Sequence, residues 1–247
     1  MITKELLTTW KNNFVSLLFP VKCVICQQET ENSRKNKLIC TDCLKKLAPS
    51  FDLHCILCEA KNADGKICYS CTALGYKSHL DRLIYPFSYS DKSVQKVIKA
   101  FKYHFIKDLE KPIGRLLTLY LNKVLDQSKL KDLILTPVPL HKLKYNQRGY
   151  NQSELLVRQI NHHSGKSILT NVLVKTRPTK DQASLKDNQR LKNIEGVFKC
   201  AEPEKVLNKK ILLIDDVYTT GATMTECARV LKEVGAAEVI GLVIARG

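Results

Sequence analysis

The stretch from Ile211 to Thr223 constrains the fold of this chain more than any other part of its sequence. It begins with four apolar residues, continues with two adjacent acids, and ends in a small, hydroxyl-rich turn. This order predicts a buried strand whose carboxyl end carries the acids, followed by a helix that begins near Met224. The backbone N–H groups of such a turn point into an open helix N-terminus and form an anion site. Because the adjacent acids suit a sugar diol, the sequence predicts a site for a ribose 5-phosphate.

This stretch closely resembles the phosphoribosyl-diphosphate signature of the type I phosphoribosyltransferases. The N–H groups and hydroxyls of the turn are expected to contact the 5-phosphate, and Gly221 allows the backbone to approach it closely. The two acids are expected to accept the ribose hydroxyls, directly or through Mg²⁺ bound with phosphoribosyl diphosphate. A strand-end turn without a ligand is the alternative. The predicted phosphoribosyl-binding residues are Asp215, Asp216, Thr219, Thr220, Gly221, Ala222 and Thr223.

The cysteines supply a second constraint, because eight of the ten fall in four Cys-x-x-Cys pairs in the first third of the chain. Each pair can place two thiolates on one tetrahedral metal ion, and two consecutive pairs complete a four-cysteine site. Thirteen residues separate the pairs of the first site, and nine separate those of the second. We therefore predict a double zinc ribbon with two Zn²⁺ ions, whose ligands are Cys23, Cys26, Cys40, Cys43, Cys55, Cys58, Cys68 and Cys71.

The predicted zinc is structural, since four thiolates leave no open position for water. Metal binding is expected to supply the stability of a module too small to have a core of its own. Interleaved pairing, in which the first and third pairs share one ion, stays open, as does iron–sulfur ligation. Disulfides are disfavoured because no secretion signal is recognised. His54 could replace one ligand, whereas Cys200 and Cys227 are isolated and fit ordinary apolar positions.

The net charge of +16 is concentrated in the middle of the chain. Residues 81–210 carry 26 basic against 12 acidic side chains, whereas residues 1–80 carry 11 against 7 and residues 211–247 carry 3 against 5. A basic region of this size attracts polyanions such as nucleic acid, anionic lipid or phosphorylated ligands. A lysine-rich composition without a binding role would explain the lysine content but not the regional skew. No apolar run approaches the roughly 20 residues of a membrane span, so we expect a cytoplasmic protein.

Three domains are predicted: an N-terminal helical segment over residues 1–20, the double zinc ribbon over 21–80 and a larger domain over 81–247. In the larger domain predicted strands alternate with predicted helices, which implies an α/β fold with a parallel sheet and helices on both faces. The strands are expected at 83–89, 133–139, 173–176, 197–198, 209–216 and 237–245. The helices are expected at 93–102, 113–125, 152–161 and 224–234. Ligands of such sheets bind at the carboxyl ends of the strands.

A second loop, over residues 136–142, also follows a predicted strand. In the superfamily that the chain resembles, this position carries the diphosphate-binding loop. A proline-stiffened loop with incidental basic residues is the alternative. The candidate diphosphate contacts of this loop and its neighbours are Val138, Pro139, His141, Lys142, Lys144, Arg148, Asn151, Lys180, Lys186 and Arg190. No residue is assigned a catalytic role.

The order of the remaining motifs narrows the resemblance. The motif Pro-Val-Pro-Leu-His is followed by Arg-Gly-Tyr-Asn-Gln, then by a polar stretch from Arg177 to Asn193, and all three follow the cysteine ribbon. This order is similar to that of the ComF family, competence-associated proteins with an amidophosphoribosyltransferase-like domain. The resemblance covers nearly the whole chain and implies a type I phosphoribosyltransferase-like fold. In that superfamily the polar stretch is the loop that closes over the ligand.

The resemblance also implies a function, namely passage of incoming single-stranded DNA across the inner membrane during natural transformation. It implies a helicase-like competence ATPase as partner, which could recruit this protein to the inner face of the membrane. Single strands follow basic grooves with aromatic side chains, and basic residues here are interleaved with Tyr103, Phe105, Tyr145 and Tyr150. A lysine row on the helix at 93–102 either contacts nucleic acid or is a solvated face.

The favoured hypothesis is therefore a competence-associated protein that binds single-stranded DNA and a phosphoribosyl ligand. The first alternative is an active phosphoribosyltransferase that uses phosphoribosyl diphosphate and Mg²⁺ with an unknown acceptor. A zinc-ribbon adaptor in transcription or recombination is a third reading, which leaves the turn at 219–223 without a purpose.

Overall fold

A computed structural model describes residues 21–30, 38–104, 106–126, 130–179 and 193–247. The predicted helical segment over residues 1–20 lies outside the described residues, as does Phe105. The chain divides into two compact units, of which the first comprises residues 1–48 and 92–109 and the second comprises 49–91 and 110–247. The predicted boundaries after residues 20 and 80 stay predictions. In the described part of the chain, no helix is both long enough and apolar enough to cross a lipid bilayer.

The helices and strands alternate along the second half of the chain. The helices are α1 Thr41–Lys46, α2 Tyr69–Ala73, α3 Lys92–Tyr103, α4 Glu110–Val124, α5 Lys142–Arg148, α6 Gln152–Ser164 and α7 Ala222–Glu233. The strands are β1 Leu53–His54, β2 Lys61–Asn62, β3 Arg82–Ile84, β4 Phe87–Ser88, β5 Leu133–Pro137, β6 Leu173–Lys175, β7 Phe198–Cys200, β8 Lys210–Tyr218 and β9 Glu238–Arg246.

The main sheet of the second unit is parallel throughout, with the order β3-β9-β8-β5, and β4 pairs with β9 beyond β3. Its two central strands are the most apolar: Ile211 to Ile214 and Val239 to Ala245 are all buried. Strands buried on both faces read as continuous apolar runs, which explains why β8 and β9 were recognisable. Helix α6 packs on β5, β8 and α4, and α7 packs on β7, β8 and β9. The predicted α/β fold, with a parallel sheet against which helices pack, is confirmed.

Four details differ from the predictions. The strand expected at 83–89 is two strands, because Pro86 between them has no N–H group to donate. Strand β8 runs on to Tyr218 instead of ending at the acids. Strands β6 and β7 form their own antiparallel pair and do not join the main sheet. Helix α5 was not predicted; His141 caps its start and Gly149, with a φ of 78°, caps its end.

The second zinc ribbon belongs to the same compact unit as the main sheet. The Leu83 amide donates to the Gly65 carbonyl at 3.0 Å, which joins the ribbon to β3. Phe51 stacks on the buried Tyr120 ring of α4, with 5.9 Å between ring centroids. The first ribbon belongs to the other unit, together with α3. The two ribbons, although adjacent in sequence, thus belong to different compact units.

Candidate functional site

The eight paired cysteines form two clusters, one from residues 23, 26, 40 and 43 and one from residues 55, 58, 68 and 71. All four sulfur atoms of each cluster lie within 4.8 Å of one another. A tetrahedral zinc ion with Zn–S bonds of about 2.3 Å requires sulfur separations of about 3.8 Å. The measured Sγ–Sγ distances are 3.9 Å for Cys26–Cys40 and 3.6 Å for Cys58–Cys68. The pairing is therefore sequential and not interleaved, and both clusters fit structural zinc.

Backbone N–H groups point at the sulfurs, as a site for thiolates requires. The Cys40 amide lies 3.4 Å from Cys23 Sγ, and the Cys68 amide lies 3.3 Å from Cys55 Sγ. Burial raises the pKa of both these thiols, but the backbone hydrogen bonds outweigh it and lower the pKa of each to about 6. The same arrangement recurs in both clusters, which supports one ligation chemistry for the pair.

The predicted phosphate turn lies between the end of β8 and the start of α7. Gly221 is the N-cap of α7 and has a φ of 76°, in the left-handed region that favours glycine. A Cβ atom at Gly221 would overlap the hydroxyl of Tyr218, so the turn is closed on one side by this ring. The Thr220 hydroxyl accepts the Ala222 amide at a long 3.5 Å. The N-terminus of α7 therefore retains the open, small-residue character that an anion site requires.

The two acids before the turn have different surroundings. Successive side chains of a strand alternate between its faces, and Asp216 is buried whereas Asp215 is half-buried. The carboxylate Oδ1 of Asp215 accepts the Ser153 hydroxyl at 2.9 Å and the Asp216 amide at 2.9 Å. The sequence analysis assigned the same role to both acids. In the structure, the side chain of Asp215 on β8 contacts Ser153 at the start of α6. Asp215 is thus oriented by groups outside its own strand.

The Arg-Gly-Tyr-Asn-Gln motif is hydrogen-bonded to the second predicted loop, at residues 136–142, through Asn151. The Asn151 side chain donates to the Val138 carbonyl at 3.0 Å and accepts the Ser153 amide at 3.2 Å, which caps α6. The Val138 amide donates to the Ile214 carbonyl at 2.9 Å, just before the acids. Asn151 therefore links the loop after β5, the start of α6 and, through Ser153, the carboxylate of Asp215.

Arg148 and the basic residues of α5 lie beside this network. Arg148 donates to Gln152 Oε1 at 2.6 Å, which orients a glutamine side chain that is nearly fully buried. His141 accepts the Leu143 amide at 3.2 Å and so caps α5. Lys142 and Lys144 lie on the first turn of α5. The structure thus gives His141 a capping contact that the sequence did not suggest, whereas the role of these residues toward diphosphate stays a prediction.

Lys175 is a cation of this region that the sequence analysis missed. It ends β6, and its Nζ donates to Thr179 Oγ1 at 2.7 Å and lies 5.6 Å from the centre of the Phe198 ring. Burial, together with repulsion by Lys144, lowers the pKa of Lys175 to about 8, while attraction by Asp215 partly offsets this. Lys175 therefore shares an electrostatic environment with α5 and with the first acid of the signature.

The candidates Lys180, Lys186 and Arg190 lie outside the described residues. The segments on either side of them are described and are held together. Arg177 donates to the Glu195 carbonyl at 3.0 Å, and the Thr176 amide donates to the Val197 carbonyl at 2.9 Å. Glu226 of α7 accepts the Gly196 amide at 2.9 Å. The two described segments that flank these candidates are therefore paired with each other beside α7.

In the first unit Lys96, a member of the predicted lysine row, has a structural contact. Lys96 of α3 donates to the Ile25 carbonyl, in the first knuckle, at 2.7 Å. The opposite face of α3 is buried, with Val94, Val97, Ile98 and Phe101, as its period predicted. Tyr103 at the end of α3 is exposed. The row is thus not a uniformly solvated face, because one of its lysines joins the helix to the ribbon.

Two family models match the chain in the order that the sequence analysis expected. The double zinc ribbon domain matches residues 14–72, and the phosphoribosyl transferase domain matches residues 149–247. The chain is 27% identical over 225 residues to Competence protein F of Haemophilus influenzae, which covers 90% of this chain and 95% of that protein. It is 25% identical over 231 residues to Competence protein ComFC of Bacillus subtilis, with coverages of 87% and 90%. The chain is thus similar to these competence proteins over most of its length.

Another relative carries a different description. The DNA utilization protein YhgH of Escherichia coli K12 is 28% identical over 218 residues, with 81% of this chain and 93% of that protein covered. The likeness to these relatives extends over both the ribbon and the sheet. Ser153 directly follows the recognised motif, but no local pattern signalled its pairing with Asp215. Nothing in the sequence signalled Lys175, since β6 is a short strand without a motif.

Proposed function

We propose that this protein acts in the uptake and use of DNA and that the turn after β8 binds a phosphoribosyl ligand. The observation that carries the ligand proposal is the geometry around Gly221, a left-handed glycine that opens α7 three residues after the end of β8, the strand that carries the two acids. The turn would hold the 5-phosphate, because N–H groups at a helix N-terminus favour anions. The competence and DNA-utilization descriptions of the full-length relatives support the cellular role.

The two acids would take different parts in holding the ribose. Asp215, which is oriented by Ser153, would accept a ribose hydroxyl, either directly or through Mg²⁺. Asp216 is more deeply buried. Carboxylates are the ligands that Mg²⁺ prefers, which fits a magnesium–diphosphate form of the ligand.

Single-stranded DNA is the proposed second ligand. Its support is the excess of basic residues in 81–210 and the exposed aromatic rings among them, Tyr103 in the first unit and Tyr145 in the second. Exposed aromatic rings stack on bases, and lysines follow the phosphate backbone. Binding of this kind weakens steeply as salt concentration rises. A helicase-like ATPase and recruitment to the inner face of the membrane remain part of this proposal.

One assay tests both ligands. Binding of phosphoribosyl diphosphate with Mg²⁺ is measured by calorimetry, first alone and then with saturating oligo-dT. Saturable one-to-one binding that is lost in Asp215→Asn/Asp216→Asn supports the phosphoribosyl site, and its absence overturns it. Competition places both ligands at one cleft, whereas additive binding places DNA elsewhere. Failure to bind oligo-dT at low salt overturns the DNA proposal alone.

An active phosphoribosyltransferase is the second candidate, and Lys175 is the observation that favours it. A half-buried cation that interacts electrostatically with Asp215 is suited to neutralise the charge of a departing diphosphate, which is the chief task of the protein in this reaction. The bond from the anomeric carbon to diphosphate would break as an acceptor nucleophile bonds to that carbon. Release of diphosphate that requires Lys175 and an added acceptor supports the candidate. Release at the same rate in Lys175→Met contradicts it.

A further inference from the structure

Arg246, the last residue of β9, is a buried charge whose partners lie in the second zinc ribbon. Only 6% of its surface is exposed. Its Nη1 donates to the Cys55 carbonyl at 3.0 Å, and its Nη2 donates to the Ile56 carbonyl at 2.7 Å. Both carbonyls belong to the knuckle between the zinc ligands Cys55 and Cys58. The fork of one guanidinium thus holds two consecutive peptide groups of a predicted metal site.

The same guanidinium contacts the residue that precedes the phosphate turn. Its central carbon lies 5.4 Å from the centre of the Tyr218 ring and 5.8 Å from that of Tyr85. Tyr218 and Arg246 are also register partners in the sheet, and the Gly247 amide donates to the Tyr218 carbonyl at 2.9 Å. A cation between aromatic rings is held by their negative faces.

Tyr218 in turn shapes the turn itself. Its ring occupies the space where a Cβ of Gly221 would lie. A displacement of this ring would therefore move the N-terminus of α7 relative to the strand that carries the acids.

A continuous set of contacts thus leads from the second zinc cluster to the phosphate turn. A buried guanidinium that loses its acceptors becomes an uncompensated charge, which a protein avoids by rearranging. The carbonyls of Cys55 and Ile56 stay in place only while the knuckle is folded, and metal binding supplies the folding energy of such a module. Glu59 Oε1 lies 3.3 Å from Arg246 Nε, but it is exposed and poorly aligned for a hydrogen bond, so it cannot replace the carbonyls.

We propose that the metal-loaded second ribbon positions the phosphate turn through Arg246 and Tyr218. Arg246 is then a positioning residue for the phosphoribosyl site, and the second ribbon is part of that site's architecture. The test by ligand affinity rests on the proposed phosphoribosyl ligand. The test by amide hydrogen exchange requires no ligand.

The binding experiment compares the two ribbons. Affinity for phosphoribosyl diphosphate with Mg²⁺ is measured in Cys58→Ser/Cys68→Ser and in Cys26→Ser/Cys40→Ser, which remove equivalent cysteines from the second and first clusters. Loss of the second zinc is expected to weaken binding roughly fivefold or more, within the usual range of coupling between sites. Loss of the first zinc, in the other compact unit, controls for zinc loss as such. An equal effect of both pairs overturns the proposal.

Variants of Arg246 separate positioning from a general effect on stability. Arg246→Met is expected to reproduce the loss of affinity, and to add little to it when combined with Cys58→Ser/Cys68→Ser, because both act through one set of contacts. Arg246→Lys keeps the cation between the rings and should recover part of the affinity. Arg158→Met, which removes an exposed arginine paired with Glu154, is the matched control. Additive losses, or no rescue by lysine, contradict the proposed route.

A ligand-free measurement keeps the coupling testable by itself. Amide hydrogen exchange at residues 219–223 should accelerate in Cys58→Ser/Cys68→Ser and in Arg246→Met, but not in Cys26→Ser/Cys40→Ser. If wild-type protein does not bind phosphoribosyl diphosphate, the proposed function fails, and the exchange result still decides the coupling. Unchanged exchange in the second-ribbon variants overturns the inference even if the ligand binds.

Discussion

The Ser153 hydroxyl donates a hydrogen bond to Asp215 Oδ1 at 2.9 Å, across 62 residues of sequence. It ties the start of α6 to the end of β8 at the edge of the sheet where ligands of this fold bind. A hydrogen bond to a carboxylate restricts the orientation of that side chain. The first signature acid is therefore oriented by a residue outside the signature.

Removing this hydroxyl should weaken ligand binding. We expect Ser153→Ala to reduce affinity for phosphoribosyl diphosphate about tenfold, equivalent to ~1.4 kcal/mol, because hydrogen bonds to charged groups are of this strength. Calorimetry at constant Mg²⁺ measures the change. Ser164→Ala is the matched control, since its hydroxyl donates to the Ile160 carbonyl at the far end of the same helix. Equal effects of the two variants would contradict the assigned role of Ser153.

A methyl group at Gly221 should be more costly than one at another left-handed glycine. Gly165→Ala, at a φ of 65° with open space around its Cβ position, is expected to cost only the backbone penalty of about 1 kcal/mol. Gly221→Ala adds overlap with Tyr218, and we expect a total cost of about 2 kcal/mol or more. Urea unfolding of both variants gives the comparison. A smaller loss in Gly221→Ala than in Gly165→Ala would show that the ring does not close the turn.

Zinc content should follow the sequential pairing. Purified wild-type protein is expected to contain two zinc ions per chain, and Cys26→Ser/Cys40→Ser or Cys58→Ser/Cys68→Ser should each retain one. Elemental analysis after desalting makes the measurement. Cys200→Ser, which alters a half-buried cysteine on β7, should retain two. A pair variant that loses both ions would point to a shared metal centre.

The lowered pKa of Lys175 predicts the direction in which the stability of the protein changes with pH. Its pKa of about 8 in the folded protein lies below the roughly 10.4 of an unfolded lysine, so between these values the unfolded state binds more protons. The contribution of Lys175 to stability is therefore unfavourable below about pH 8 and becomes less so as pH rises toward 10.4. Lys175→Met should stabilise the protein near pH 7, and its advantage over wild type should shrink at alkaline pH.

Urea midpoints of wild type and Lys175→Met, compared from pH 7 to about pH 10, test this sign. Taking the difference between the two proteins removes the opposing effect of the buried tyrosines, such as Tyr218, whose pKa is raised by burial. Lys199→Met, on the neighbouring strand β7, controls for removal of an exposed lysine. A difference that is constant or grows with pH would contradict the assigned environment.

Local patterns were enough to find most of the sheet and its helices. The apolar runs of β8 and β9 and the period of α3 are visible because each depends on neighbours in sequence. Helix α5 was missed since it has no buried residue and owes its ends to His141 and Gly149. The antiparallel pairing of β6 with β7 was missed because register between strands 22 residues apart is set by tertiary packing.

The same division applies to the candidate site. The sequence by itself located the four cysteine pairs and the turn at 219–223, because in each the chemistry is carried by residues a few positions apart, whereas the structure decided that consecutive cysteine pairs share a site. Only the tertiary structure decided that Ser153 orients Asp215, that Lys175 lies in its electrostatic surroundings, and that Arg246 contacts the second zinc knuckle. These relationships join residues distant in sequence, and no local pattern encodes a contact that exists only once the sheet has brought the ends of its strands together.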